Sequence, residues 1–167
     1  FLELSGVSIA VTICEDLWND TDFWKQRHYV NDPLETIADH AADVIVNLSS
    51  SPFTIGKQQI RQNMLSSIAG KYKAWVLYAN QVGGNDDLVF PGRSMAFDPS
   101  GELVARGRAF EEDVVLVDVD PAFGEISSDD FSPESEAWRA LVLGTRDYVR
   151  KCGFKKALVG LSGGIDS

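Results

Sequence analysis

The sequence lacks long hydrophobic runs, and it contains little cysteine. No apolar run among its 167 residues reaches the roughly 18 residues that a membrane-spanning helix needs, and no signal-peptide pattern is visible. The 2 cysteines, Cys14 and Cys152, are far apart and lack metal-site spacing. We therefore expect a reduced, cytoplasmic setting and no membrane partner.

Basic residues are also scarce. The chain has 15 Lys and Arg against 25 Asp and Glu, which gives a formal net charge of −10. Without a basic patch to neutralise phosphates, nucleic acid is not an expected partner. Internal repeats and low-complexity tracts are missing as well. With 44% hydrophobic and 24% charged residues, the composition is typical of a soluble globular domain.

The chain begins at Phe1 without a methionine and stops inside the glycine-rich sequence LSGGIDS. We interpret the sequence as an internal piece of a longer protein, so that catalytic groups outside it are invisible here.

Hydrophobic patterns predict a layered α/β domain with helices packed on a sheet. Apolar, β-branched runs predict strands at residues 7–13, 43–48, 74–80, 114–119 and 157–161. The turn DPSG predicts a β-hairpin between residues 94–97 and 102–106. Amphipathic patterns predict helices at residues 32–40, 56–72 and 134–151.

Two of these helices have a predicted apolar side. In residues 56–72 an apolar stripe leaves Lys57, Arg61 and Lys71 for other faces; the stripe comprises Ile60, Met64, Leu65, Ile68, Ala69 and Tyr72. The helix at 134–151, closed by Gly153, carries an apolar side made of Trp138, Leu141, Val142, Tyr148 and Val149. Small, acidic and turn-forming residues at 123–133 predict a linker before it. The predicted domains are thus residues 1–122 and 134–167.

Cys14 ends an apolar strand in VSIAVTICEDLWND and can be interpreted in two ways. A lone cysteine there is more often a small buried residue than a catalyst. The C-terminal edge of a strand in an α/β sheet is, however, where ligand sites collect, and a thiol can act there as a nucleophile. The neighbours Glu15 and Asp16 bring no positive charge, and spacing alone puts neither Lys25 nor Lys57 beside the thiol.

Three polar stretches follow predicted strands. NLSSSPFTIGK at residues 47–57 is an ordinary capped strand-to-helix turn or a substrate-contact loop. QVGGNDDLVFPGR at residues 81–93 is a turn with structural glycines or a border of the site. GLSGGIDS at residues 160–167 follows a strand and predicts phosphate binding, because successive glycines let backbone N–H groups converge at a helix N-terminus.

Taken together, ICEDLW, NLSSSPFTIGK, NQVGGNDDLVF and LVGLSGGIDS resemble glutamine-dependent NAD⁺ synthetases over essentially the whole chain. The resemblance implies part of a nitrilase-like α-β-β-α sandwich that hydrolyses glutamine, followed by the first helix and strand of an ATP-pyrophosphatase-type α/β domain. ATP then adenylylates deamido-NAD⁺, and ammonia from glutamine displaces AMP.

The resemblance also implies residue roles. Cys14 corresponds to the glutaminase nucleophile, while the family's glutamate base and lysine lie N-terminal to it, outside this chain. Ser51 and Lys57 contact glutamine, and Glu15 lies in the same pocket wall, with its backbone N–H near the oxyanion. The ATP phosphates are bound, with Mg²⁺, by Gly160, Leu161, Ser162, Gly163, Gly164, Ile165, Asp166 and Ser167. No prosthetic group is expected, and the protein is expected to form a homo-oligomer.

Three alternatives remain: a nitrilase-type amidase that uses Cys14 on another amide, a different pyrophosphatase-loop synthetase, and an inert piece of an enzyme. The SGGIDS motif argues against a simple amidase, which has no need of ATP. The cysteine-bearing domain argues against the second alternative.

Overall fold

The computed structural model describes residues 1–20, 23–24 and 31–165. Ten strands and three α-helices occur in these ranges. The strands are β1 Leu2–Leu4, β2 Val7–Ile13, β3 Val44–Ser49, β4 Trp75–Asn80, β5 Val82–Asn85, β6 Leu88–Pro91, β7 Met95–Phe97, β8 Leu103–Arg106, β9 Val117–Val119 and β10 Ala122–Gly124. The helices are α1 Pro33–Asp39, α2 Lys57–Tyr72 and α3 Pro133–Lys151, and a 3₁₀ turn spans Cys14–Leu17. Among the described helices, none is long and apolar enough to cross a bilayer.

A six-stranded sheet forms the centre of the fold, in the order β1-β2-β3-β4-β7-β8. The strands β2, β3 and β4 are parallel, and β1, β7 and β8 pair antiparallel with their neighbours. Because parallel strands end at the same edge, the turns after β2, β3 and β4 come together there. The predicted strands at 7–13, 43–48 and 74–80, the hairpin of β7 and β8, and the layered α/β class are confirmed.

Both α1 and α2 pack against one face of this sheet and share a single hydrophobic core with it. The opposite face leaves Val11, Ile13 and Leu48 exposed, at 46%, 66% and 51%. An apolar cavity of about 480 Å³ also lies on that opposite side and does not include Cys14. In the described part of the chain, the two helices that share a core with the six-stranded sheet therefore lie on the same side of it.

Helix α2 differs from its predicted orientation. Arg61, which we expected on an outer face, is only 1% exposed, whereas Ile60 of the predicted apolar stripe is 45% exposed. The reason is a polar environment at the first turns of α2. Arg61 donates hydrogen bonds to Gln58 of the same helix and to Ser51 in the loop after β3. Its guanidinium lies 5.6 Å from the ring centroid of Tyr78 on β4. At the N-terminal end of α2, a polar face of the helix is therefore the buried one, because the groups that it contacts are polar.

The stretch at residues 81–93 is a β-hairpin of β5 and β6, and α3 packs against it. The contact is close because both elements have a glycine there. A Cβ atom on Gly84 would lie 2.9 Å from the Cα atom of Gly144. Asp147 accepts a hydrogen bond from the Gly84 N–H at 2.8 Å, and Lys151 donates one to the Gly84 carbonyl.

Helix α3 has clear start and stop signals. The Ser132 hydroxyl accepts a hydrogen bond from the Ser135 N–H at 3.3 Å, and Pro133 is the first helical residue. At the C-terminus Gly153 has a φ of +75°, and the N–H of Phe154 donates to the carbonyl of Val149 at 3.0 Å. This is the Schellman arrangement, which glycine favours because it lacks a Cβ atom.

The predicted apolar side of α3 was wrong as a packing face. Trp138, Leu141, Val142 and Tyr148 are exposed, at 69%, 67%, 47% and 61%. The buried residues are Glu136, Ala140 and Leu143. Small residues let α3 approach the hairpin, and Glu136 forms an ion pair with the buried Arg93. The face of α3 that packs against the hairpin is therefore not its most hydrophobic face.

Two predicted strands also need correction. Residues 157–161 form no strand in the described part of the chain, since no described segment pairs with them and their side chains are exposed. The strand predicted at 114–119 is shortened to β9, which pairs only with β10. Val114 and Leu116 before it are 83% and 80% exposed. In both cases an apolar run lacks the partner strand that would order it.

Candidate active site

The core face of the sheet changes from apolar to polar near its C-terminal edge. Thr12, Asn47 and Tyr78 lie side by side in register on β2, β3 and β4. The Asn47 amide donates to the Thr12 hydroxyl at 3.0 Å, and Thr12 donates to the carbonyl of Val46 at 3.0 Å. The Ser49 hydroxyl donates to the side-chain oxygen of Asn47 at 2.6 Å. This polar row is a satisfied hydrogen-bonded platform at the edge where the candidate nucleophile lies.

Cys14 lies directly after β2, above this row. Its φ of +46° is in the left-handed region, which is costly for a residue with a Cβ atom and occurs preferentially at functional sites. The Asn47 amide contacts the Cys14 carbonyl at 3.4 Å. The Asp16 carboxylate accepts a hydrogen bond from the Ile13 N–H at 2.7 Å and so fixes the start of the 3₁₀ turn. The chain therefore bends sharply at a half-buried thiol.

Lys57 is brought into the electrostatic surroundings of this thiol, which sequence spacing could not show. Burial lowers the pKa of Lys57, and the positive charge of Arg61 lowers it further. The side chains of Cys14 and Glu15 raise the pKa of Lys57 and so offset part of this lowering. The Lys57 ammonium also lies 5.3 Å from the ring centroid of Trp18. Cys14, Glu15 and Lys57 thus lie close enough to interact electrostatically.

Ser51 lies in the same edge and is only 3% exposed. Its N–H donates to the side-chain oxygen of Asn80 at 2.9 Å, and its hydroxyl accepts a hydrogen bond from Arg61 at 3.2 Å. Burial raises the pKa of Tyr78, whose hydroxyl donates to the same Asn80 oxygen at 3.3 Å. The Ser51 main chain is therefore fixed by a buried polar network.

The sequence interpretation assigned no role at the site to four residues of this network: Thr12, Arg61, Tyr78 and Asn80. Asn47 was included only as the first residue of the loop at 47–57. A signal for part of it was available, because Asn47, Ser49 and Ser51 alternate with Leu48 and Ser50 along one strand and its extension. Polar residues at every second position of an otherwise buried strand indicate a polar patch on its core face.

The glycine-rich stretch is exposed throughout its described part, residues 160–165. Gly163 has a φ of +81°, and the Gly164 N–H donates to the Ser162 hydroxyl at 3.3 Å. Asp166 and Ser167, which complete the predicted phosphate loop, lie outside the described residues, as does Lys25. The described residues also contain no cluster of three His, Cys, Asp or Glu that could hold a metal ion.

Two family models match the chain. The model of the carbon-nitrogen hydrolase family matches residues 2–125, and the model of the NAD synthase family matches residues 137–167. A glutamine-dependent NAD(+) synthetase of Synechocystis sp. is 46% identical, in an alignment that covers 97% of this chain and 30% of the relative. The chain thus spans about a third of the length of the curated relatives it matches.

Solved structures give the same result. The glutamine-dependent NAD⁺ synthetase of Acinetobacter baumannii, in complex with ADP, is 34% identical with a TM-score of 0.83, over 99% of this chain and 30% of that one. An amidase of Nesterenkonia from the nitrilase superfamily shares the fold at 17% identity, with a TM-score of 0.52 over 64% of this chain and 36% of that one. The predicted nitrilase-like fold and the resemblance to glutamine-dependent NAD⁺ synthetases are confirmed. The chain therefore belongs to the carbon-nitrogen hydrolase family, and a segment that matches the NAD synthase family follows its hydrolase part.

Proposed function

We propose that this chain carries the nucleophile of a glutaminase whose ammonia serves the ATP-dependent amidation of deamido-NAD⁺ to NAD⁺. The observation that carries the proposal is the position of Cys14, left-handed at the C-terminal end of β2 and in one electrostatic site with Lys57 and Glu15. The names of the matching relatives, glutamine-dependent NAD(+) synthetases, support the substrate and the product.

The hydrolytic step follows from thiol chemistry. The Cys14 thiol loses its proton to a base, and its sulfur attacks the carbon of the glutamine side-chain amide. The C–N bond breaks, ammonia leaves with a proton, and a γ-glutamyl thioester remains on Cys14. Water then hydrolyses the thioester to glutamate and restores the thiol. The base is a glutamate which the family resemblance implies N-terminal to Cys14, outside this chain.

Glu15, Ser51 and Lys57 are proposed to bind glutamine. A zwitterionic substrate requires both signs of charge and hydrogen-bonding groups in its pocket. Lys57 offers a cation to the α-carboxylate, Glu15 an anion to the α-ammonium, and the Ser51 loop is fixed by Asn80 at the same edge. The proposed binding site therefore combines the two signs of charge that free glutamine needs.

The phosphate loop is proposed to consist of residues 160–167, within a domain that begins at residue 134 after a linker at 123–133. Its exposed glycines and the Ser162 hydroxyl are the donors that a polyphosphate requires, so they fit ATP. Bound ATP would activate the carboxylate of deamido-NAD⁺ as an adenylate, and Mg²⁺ would neutralise phosphate charge. A cytoplasmic location and a homo-oligomer remain predictions.

The test uses this chain within a protein of the relatives' full length, called the complete enzyme below. The Cys14→Ala variant should lose NAD⁺ formation from glutamine and keep NAD⁺ formation from ammonia. Cys152→Ala is the matched control, because Cys152 is the exposed second thiol, and it should retain both activities. Glutamine-driven synthesis that survives in Cys14→Ala would refute the nucleophile assignment.

A further inference from the structure

Arg93 is a buried cation held by residues from outside its own domain. It is 1% exposed, and its guanidinium forms ion pairs with Asp129 and Glu136. The Nε atom lies 2.6 Å from Asp129, which belongs to the predicted linker, whereas Glu136 belongs to α3. Arg139 pairs with the second oxygen of Asp129 at 2.7 Å. The cluster of Arg93, Asp129, Glu136 and Arg139 is thus charge-balanced and largely desolvated.

The backbone of Arg93 also needs this anchoring. Both Gly92 and Arg93 have positive φ values, of +66° and +56°. Glycine adopts this conformation without cost, but arginine does not. The ring of Phe131 lies 4.9 Å and that of Phe110 5.5 Å from the guanidinium carbon. Because the surroundings of the side chain fix its position, they also hold the backbone in a conformation that Arg93 would otherwise avoid.

The segment next to Arg93 contacts the Ser51 loop through one residue. The carbonyl of Gly92 accepts a hydrogen bond from the Asn80 side-chain amide at 3.0 Å, and the Ser94 hydroxyl accepts one from the Asn80 N–H at 3.1 Å. The other end of the Asn80 side chain accepts the Ser51 N–H at 2.9 Å. Arg93 is therefore two hydrogen-bonded contacts away from the proposed glutamine pocket.

We propose that Arg93, held by Asp129 and Glu136, is a positioning residue of the glutamine pocket. The two carboxylates keep Gly92 and Arg93 in the left-handed conformation, the turn that they form orients the Asn80 amide, and Asn80 orients the main chain of Ser51. This inference rests on the proposed function, since Ser51 is assigned to glutamine there. The hydrogen bonds and ion pairs of the Arg93 side chain in the described chain go to Asp129 and Glu136 and not to Cys14, so its loss should affect substrate binding and leave the nucleophile intact.

The test measures KM and kcat of the complete enzyme for glutamine in Glu136→Gln, Asp129→Asn and the double variant. We expect the KM for glutamine to rise about tenfold in the double variant, the equivalent of one charge-assisted hydrogen bond. The kcat should stay within about twofold, because only ground-state positioning changes. Ammonia-driven NAD⁺ formation should be unchanged. Glu111→Gln, at an exposed ion pair with Arg108, is the matched control and should behave like the wild type.

A second pair of variants separates positioning from folding. Arg93→Lys keeps the charge but lacks the planar guanidinium fork that pairs with both carboxylates, so its KM should lie between those of the wild type and Arg93→Met. Alkylation of Cys14 by iodoacetamide should keep its wild-type rate in both variants, while alkylation by an electrophilic glutamine analogue should slow in proportion to KM.

Three results would overturn the proposal: an unchanged KM in the double variant, an equal loss of ammonia-driven synthesis, or equal slowing of both alkylations. Should Arg93→Met fail to fold, the Gln and Asn variants decide alone. The Cys14→Ala result concerns the proposed function itself, so the two failures can be distinguished.

Discussion

Asn80 joins three parts of the candidate site, and its replacement offers a quantitative test of the network. Its oxygen accepts hydrogen bonds from the Ser51 N–H at 2.9 Å and the Tyr78 hydroxyl at 3.3 Å. Its amide donates to the carbonyls of Gly92 at 3.0 Å and Ser51 at 3.4 Å. Two of these four bonds are short and two are long. The Asn80→Ala variant removes them all and leaves the Ser51 N–H without its partner.

The expected magnitude follows from these distances. Losing the bond to the Gly92 carbonyl costs about 1 kcal/mol net, and leaving the buried Ser51 N–H without its partner costs about 1–3 kcal/mol. We therefore expect Asn80→Ala to cost about 2–4 kcal/mol, shared between the free energy of unfolding and glutamine binding. If all of it affects the reaction, kcat/KM for glutamine falls by roughly 30- to 1,000-fold.

The assay compares kcat/KM for glutamine with the free energy of unfolding in denaturant, both in the complete enzyme. Asn63→Ala is the matched control, because Asn63 lies exposed on α2 and bonds only Gln59 in the described chain. Asn80→Asp keeps an acceptor for the Ser51 N–H but turns a second oxygen toward two carbonyls, so it should be no better than Asn80→Ala. Wild-type kcat/KM and stability in Asn80→Ala would refute the reasoning.

Three further predictions concern other parts of the chain. In Gly84→Ala the new methyl group meets Gly144 at 2.9 Å, so α3 should lose about 1–3 kcal/mol of packing, measured as faster hydrogen exchange of its amides. Because burial lowers the pKa of Lys57, its charge is lost at a lower pH than that of a free lysine; KM for glutamine should rise through that pKa, and Lys57→Arg should move the rise to higher pH. Replacing both Gly163 and Gly164 with valine should abolish NAD⁺ formation from glutamine and from ammonia alike, measured with saturating ATP.

Each of these has a clear contrary result. Gly70→Ala is the control for Gly84, since its added Cβ would meet only ordinary contacts at 3.4 Å; equal hydrogen exchange in both variants would contradict the close-approach argument. Identical alkaline limbs in wild type and Lys57→Arg would exclude Lys57 from glutamine binding. Full ammonia-driven synthesis in the valine variant would end the phosphate-loop assignment.

Local patterns predicted the elements whose partners lie nearby. The strand at 7–13 and the helix at 56–72 follow from apolar periodicity, and the structure contains both within one residue at each end. The strand expected at 157–161 has equally apolar residues, yet it is absent from the described chain. A strand is stabilised by cross-strand pairs, so its sequence alone does not decide whether it forms.

The orientation of side chains was harder to predict than the elements. Arg61 looks like a solvent-facing residue of an amphipathic helix, and Trp138 looks like a core residue, but their burial is reversed. Hydrophobicity indicates a buried face only when the surface opposite is apolar. Here Arg61 faces hydroxyl and amide groups, and α3 faces a glycine hairpin and Arg93.

For the candidate site, the sequence identified the nucleophile position and the loop, but not what supports them. Cys14 and Ser51 each come soon after a predicted strand, and this position can be recognised in the sequence. The contacts of Asn80 with Ser51 and Gly92 span 29 and 12 positions. Such bonds depend on the parallel register of β3 and β4, which a single sequence does not specify.

The polar row of Thr12, Asn47 and Tyr78 consists entirely of side chains without a formal charge at neutral pH. Bonds between neutral dipoles are little affected by dissolved ions, whereas attraction between exposed charges weakens as salt is added. The structure of this polar row should therefore be the same in dilute and in concentrated salt. Any salt sensitivity of glutamine hydrolysis would then arise from charged groups of the site, such as Lys57. A salt titration can therefore separate the contribution of these charged groups from that of the neutral polar row.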